Sequence, residues 1–171
     1  MSVKWYFPST GGGRKSGLND GSIETFKDNP YKSMAREICQ NSLDARVDQD
    51  RPVLVEFSSF ELPKANIPGI DSLQDAFSRG HEFWKCQNSK KAVDFYAEAL
   101  RMLEGDTIPL LRVSDFNTSG LQGSHAEYNS PWCNLTKSSG ASDKAGSAGG
   151  SFGIGKFAPF ACSKLRTVFY S

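Results

Sequence analysis

A chain of 171 residues, 38% of them hydrophobic, can bury one proper core and is too short for two comfortable ones, so one globular unit is expected. Lysine and arginine number 20 against 19 acidic residues, a formal charge of +1, so no global field favours nucleic acid or an anionic membrane and a nucleic-acid partner is left open. Cys39, Cys86, Cys133 and Cys162 are scattered, with no CxxC pair and no nearby histidine to complete a zinc site, which predicts reduced, intracellular thiols. The start, MSVKWYFPST, lacks the apolar core of a signal peptide, and no run of about 18 apolar residues suggests a membrane span. A cytoplasmic protein without a membrane partner is expected.

Residues 5–7 are aromatic, and 9–29 read as a loop rich in glycine and polar residues. Asn29-Pro30 is a helix start, because asparagine can cap free amides and proline is tolerated in the first turn. That helix is expected to run to about Ala45. Residues 53–60, β-branched and aromatic between Pro52 and Pro63, predict a strand. Asp71 or Ser72 could cap one following helix and Ser89 another, in which Ala92, Phe95, Tyr96, Ala99, Leu100 and Leu103 fall at the three-and-four spacing of a packing stripe. Residues 109–114 predict a buried strand that delivers Asp115 at its end. Residues 122–150, mostly glycine, serine and polar, suit a mobile loop or lid. A helix is expected from Gly155 to about Ser163, and a final strand over 165–170.

Three constellations carry chemistry. Glu37, Asn41 and Asp44 are spaced four and then three, so they share a face of the first long helix. Such a face could hold a metal ion and activate a water, and from this helix alone a solvated polar face is the simpler reading. Asp115, in Ser114-Asp115-Phe116-Asn117-Thr118-Ser119-Gly120, could accept a hydrogen bond from a ligand amine or close an Asx turn on its own backbone. Gly149-Gly150-Ser151-Phe152-Gly153-Ile154-Gly155-Lys156 leads into a helix and suits a phosphate, since glycine amides approach an anion unobstructed; a flexible linker is the alternative. A Walker P-loop is disfavoured because Phe157 stands where serine or threonine must bind magnesium, and no buried strand precedes the glycines.

Taken in order, these elements resemble the motifs of the GHKL ATPases, the superfamily of gyrase, MutL-like, MORC-like and heat-shock-chaperone ATP-binding domains. Glu37-x-x-x-Asn41-Ser42-x-Asp44-Ala45 resembles the N box, Asp115 and its turn the adenine-recognition box, and GGSFGIGK the glycine-rich box of the ATP lid. The resemblance covers about residues 30–170. In the middle box the family has Asp-x-Gly-x-Gly, whereas Asn117 occupies the first glycine position and Gly120 lies one residue too far along.

The resemblance implies an α/β fold, a two-layer α+β sandwich (the Bergerat fold) with a mixed, mostly antiparallel sheet, helices on one face and a glycine-rich lid. It implies one ATP-binding domain over 1–171, truncated at its C-terminal end, with a helical elaboration at 62–106. Glu37 would be the general base, Asn41 the magnesium ligand and Asp44 its support. Asp115 would accept from the adenine amine, with Asn117 and Gly120 in the same nucleotide-binding turn. Gly150, Phe152, Gly153, Ile154 and Gly155 would hold the phosphates and Lys156 would add a charge or face solvent. The implied activity is magnesium-dependent ATP hydrolysis that closes a lid or drives dimerisation of a larger protein, with a homodimer or a downstream domain as partner. An ATP-gated module without turnover, and a non-enzymatic scaffold, are the alternatives. Histidine kinases generally lack a glutamate at this place, and His81 and His125 sit in no phosphoacceptor context.

Overall fold

The computed structural model describes residues 5–7, 20–126, 128, 130–137 and 154–171. Among these the chain is mixed α/β, with six α-helices and one two-stranded antiparallel sheet. In order they are α1 (Gly21–Glu24), α2 (Pro30–Asp44), β1 (Leu54–Pro63), α3 (Ile70–Cys86), α4 (Lys90–Leu103), β2 (Thr107–Phe116), α5 (Pro131–Thr136) and α6 (Ala158–Cys162). Short 3-10 turns at Lys64–Asn66 and Gly155–Phe157 lead out of β1 and into α6. The chain divides into two compact units, one built on Ser58–Arg112 and the other on Gly21–Phe57 with Val113–Ser171. No described helix is long and apolar enough to cross a membrane.

In the first unit α3 packs on α4. Ile70 and Leu73 are buried on α3, and Ala92, Ala99 and Leu103 on α4, at the spacing that keeps apolar side chains on one helical face. Asp71 in the first turn and Lys85 in the last complement the dipole of α3. Its cap is Gly69 in the left-handed region at φ 66°, so neither Asp71 nor Ser72 caps it as the sequence suggests. Ser89 does cap α4, but without a side-chain hydrogen bond. Phe77 meets Phe95 and Tyr96 edge-on at centroid distances of 6.2 and 5.8 Å, within the favoured range for aromatic pairs. Lys64 ties both ends of this helical segment together: its Nζ donates to the Leu103 carbonyl at 2.7 Å and its backbone N–H to that of Asp106 at 2.8 Å.

This packing makes a stability prediction. A methyl group at Gly80 would lie 2.7 Å from the Tyr96 ring, and Phe77 holds that ring from the side. Overpacking costs about 1–3 kcal/mol. The better helix propensity of alanine returns at most about 1 kcal/mol. Gly80→Ala is therefore expected to lower the thermal midpoint, read by circular dichroism.

In the second unit α2 and α6 pack together over Phe26, Met34 and Ala158, joined by Ile38, Ile154, Phe157, Ala161 and Cys162. Met34, Ile38 and Ser42 recur every four residues and form the inward stripe of α2; Met34 is 5% exposed and Ser42 3%. Pro30 opens the helix, and Asn29 contributes through its backbone carbonyl, which accepts from the Ser33 N–H at 3.0 Å, with no side-chain cap bond. Cys162 is partly shielded by this core, and burial pushes its thiol above the ordinary value. Thiolate is the reactive form, so iodoacetamide is expected to label exposed Cys86 first and Cys162 slowly, the rate at Cys162 rising with pH; peptide mass spectrometry reads both.

Further expectations are corrected. Residues 9–29, read as a loop, contain α1 among the described residues, a single helical turn too short to show periodicity. Residues 122–150, read as a loop, contain α5, a helix too short to show periodicity. Its signal is Ser130-Pro131: the Ser130 hydroxyl accepts from the Cys133 N–H at 3.0 Å and donates to the Gly123 carbonyl at 3.0 Å. Residues 109–114 are not a buried strand, because both strands of the ribbon are edges among the described residues and Pro109, Leu111 and Arg112 are exposed. Residues 165–170 form no strand. A turn occupies their start, with the Ser163 carbonyl accepting from the Arg166 N–H and the Ser163 hydroxyl from the Thr167 N–H, both at 3.0 Å, and Arg166 at φ 49°. These bonds consume donors that a sheet ladder needs.

Candidate functional site

Helix α2 carries Glu37, Asn41 and Asp44 along one face, with Glu37 half-buried and the other two exposed. The Gln40 amide donates to Asp44 Oδ1 at 2.9 Å, which holds that carboxylate against its own helix. One residue past Asn41, the buried Ser42 hydroxyl donates to Asp115 Oδ2 at 3.0 Å across 73 residues of sequence. A hydroxyl donating to a carboxylate is a charge-assisted bond, stronger than one between neutral groups. Asp115 is otherwise exposed, and its Oδ1 accepts no hydrogen bond from the described residues. Among the described residues, one carboxylate oxygen is thus held by the helix and the other is left without a donor.

Asp115 sits one residue before the end of β2. Among the described residues it closes no Asx turn, its side chain bonding Ser42 instead. The chain then turns at Asn117, whose φ of 61° lies in the left-handed region that glycine adopts freely and asparagine tolerates better than most residues. Asparagine thus meets the conformational demand of this turn without a glycine. Its side chain is engaged: Oδ1 accepts from the Asp48 N–H at 3.0 Å, and Nδ2 donates to the carbonyls of Asp48 and Arg51, both at 2.9 Å. Backbone bonds add to this seam, with Val47 N–H donating to the Asn117 carbonyl at 3.1 Å, Ser119 N–H to that of Ala45 at 2.9 Å, and an antiparallel bridge between Arg46 and Thr118. Gly120 follows at φ 63°, and a Cβ there would meet nothing within 4 Å, so backbone conformation rather than crowding asks for glycine.

Of the glycine-rich element, Gly150, Phe152 and Gly153 lie outside the described residues. Ile154 packs against the Phe26–Met34–Ala158 cluster, and Gly155 is buried at the start of its 3-10 turn. Lys156 is half-buried. Its Nζ donates to the Asn134 carbonyl in α5 at 2.9 Å and lies 5.8 Å from the Phe157 ring centroid, and burial pushes its ammonium below the usual lysine range. An ammonium near the C-terminal end of a helix is favourably placed against the dipole.

The described residues contain no group of three or more histidine, cysteine, aspartate or glutamate side chains suited to a metal. Magnesium does not require one, since it keeps several waters and is commonly held by one or two protein oxygens together with phosphate. The Glu37–Asn41–Asp44 face carries side-chain oxygens of the kind that mode uses. The Ser42–Asp115 pair and the Asn117 seam were not read from the sequence. Signals for both exist: Ser42 continues the inward stripe of Met34 and Ile38, and asparagine is the ordinary substitute for glycine at positive φ. The chain matches no protein-family model, no curated protein and no solved structure.

Proposed function

We propose that this chain is a GHKL-type nucleotide-binding module that binds ATP with magnesium and hydrolyses it, with the two-layer Bergerat sandwich and glycine-rich lid of that class. The observation that supports the reading is the Ser42–Asp115 hydrogen bond, which joins the helix bearing Glu37, Asn41 and Asp44 to the carboxylate read as the adenine acceptor. Two elements chosen from the sequence for different parts of one ligand meet through a buried hydroxyl, as a single nucleotide site requires.

In this reading Asp115 Oδ1 accepts the exocyclic amine of adenine while Ser42 holds Oδ2. The carboxylate has no donor of its own and discriminates against bases that present an oxygen there. Glu37 orients and deprotonates the attacking water as general base, and Asp44 supports the polar face. Asn41 would hold the magnesium through its amide oxygen. The ion, when bound with the nucleotide, supplies positive charge to the phosphate oxygens. Gly155 and the glycines before it offer amides to the phosphates. Nucleotide binding closes the lid and drives dimerisation or rearrangement with a downstream domain, in an intracellular setting.

Calorimetric titration with ATP and magnesium, followed by phosphate-release assay of the same samples, tests the proposal. Saturable binding with turnover supports it. Binding without turnover leaves an ATP-gated module, and folded protein that binds no nucleotide defeats the reading.

A further inference from the structure

We infer that Asn117 is a positioning residue for base recognition: through its side-chain hydrogen bonds to residues 48–51 it sets Asp115 against Ser42, and it does not touch the nucleotide itself. The inference rests on the proposed ATP site and assigns Asn117 a role different from the ligand contact that the family pattern implies.

Asn117 makes three side-chain hydrogen bonds of 2.9–3.0 Å to backbone groups of Asp48 and Arg51. One amide oxygen and one amide nitrogen are thereby committed, so the side chain has little left to offer a ligand. Asn117 is also two residues from Asp115, and the chain between them leaves β2 directly. The segment it grips, 48–51, follows α2, which ends at Asp44, and between the two Ala45 and Val47 bond Ser119 and Asn117. The α2 terminus and the β2 exit are therefore laced together within a few residues of the Ser42–Asp115 bond, on its C-terminal side in both segments. A glycine at this position would satisfy φ 61° but could make none of the side-chain bonds. What asparagine adds over glycine is therefore the grip itself.

A base with an oxygen in place of the amine separates the two roles. Asp115 placed correctly prefers ATP to inosine triphosphate, which lacks the exocyclic amine; a displaced carboxylate loses that preference while phosphate contacts persist. The experiment titrates wild type, Asn117→Gly and Asn88→Gly with both nucleotides in magnesium. Asn88 is a second asparagine at positive φ, 54°, in the turn between α3 and α4, and controls for the loss of an asparagine in that conformation. Asn117→Gly is expected to lose about tenfold in the preference for ATP, as for one charge-assisted hydrogen bond, with Asn88→Gly unchanged. A folded Asn117→Gly with undiminished preference overturns the inference. If wild type binds neither nucleotide, the proposed function itself fails, an outcome visible before any variant is made. Should Asn117→Gly not fold, hydrogen exchange on wild type decides. ATP is expected to slow exchange of the Asp48 amide more than inosine triphosphate does, by linkage between grip and base site, and equal protection by the two overturns the inference.

Discussion

Glu37→Ala is expected to leave ATP affinity within a few-fold of wild type while phosphate release falls by roughly 10²–10⁴, the usual contribution of a positioned general base. The half-buried Glu37 lies one helical turn before Asn41 on α2, beside the inward stripe of Met34, Ile38 and Ser42. Truncation there removes a carboxylate without touching the Ser42–Asp115 bond, so the base-binding end should survive. Paired calorimetry and single-turnover phosphate release separate the two effects. A variant that binds and turns over normally removes Glu37 from the chemistry; one that neither binds nor folds shows it to be structural. Glu37→Gln sharpens the comparison, because it keeps the volume and the hydrogen-bonding reach while losing the basicity.

Asp115→Asn is expected to weaken ATP about ten- to a hundredfold, the worth of one hydrogen bond to a charged group. The loss is partial for a structural reason. Ser42 donates to Oδ2 in the native site, but a hydroxyl can also accept, so an asparagine could turn its NH₂ toward Ser42 and present its carbonyl to the amine. The variant then loses the charge and keeps the geometry. Combining Asp115→Asn with Ser42→Ala removes that accommodation, and the double variant should bind more weakly than the sum of the single losses predicts. Inosine triphosphate affinity is expected to change far less than ATP affinity. Equal losses for both nucleotides would move Asp115 away from the base.

Legibility from sequence followed the range of the physics. Helix α2 ends within one residue of its expected limit, and its start was legible because Asn29-Pro30 is a local signal. The same holds for α4 and its Ser89 cap. The strands were found, but β1 starts one residue later and ends three residues further than expected and β2 extends two residues further at each end, since ladder partners rather than propensity define their ends. Helix α5 escaped because six residues carry no periodicity, and only its Ser-Pro start marks it. The extended run 165–170 was misread because β-branched and aromatic composition says nothing about whether a neighbour is there to pair. At the site, the common face of Glu37, Asn41 and Asp44 was legible from spacing alone. The Ser42–Asp115 bond was not, because it joins residues 73 apart and depends on how the chain returns. Lys156 was read as turning to phosphate or to solvent; its bond to Asn134 involves α5, an element the sequence reading had not found.

The seam between 45–48 and 117–119 makes the intervening chain a closed excursion that leaves and re-enters at one fastened point. Closing a longer loop costs little: each doubling of its length adds only about 0.6 kcal/mol of entropy. A change in the length of the stretch between the two fastened segments is consequently expected to cost little while the fastening holds Ser42 and Asp115 in register. The length of that stretch then says little about the site, and the residues at the fastening, Asn117 foremost, say more.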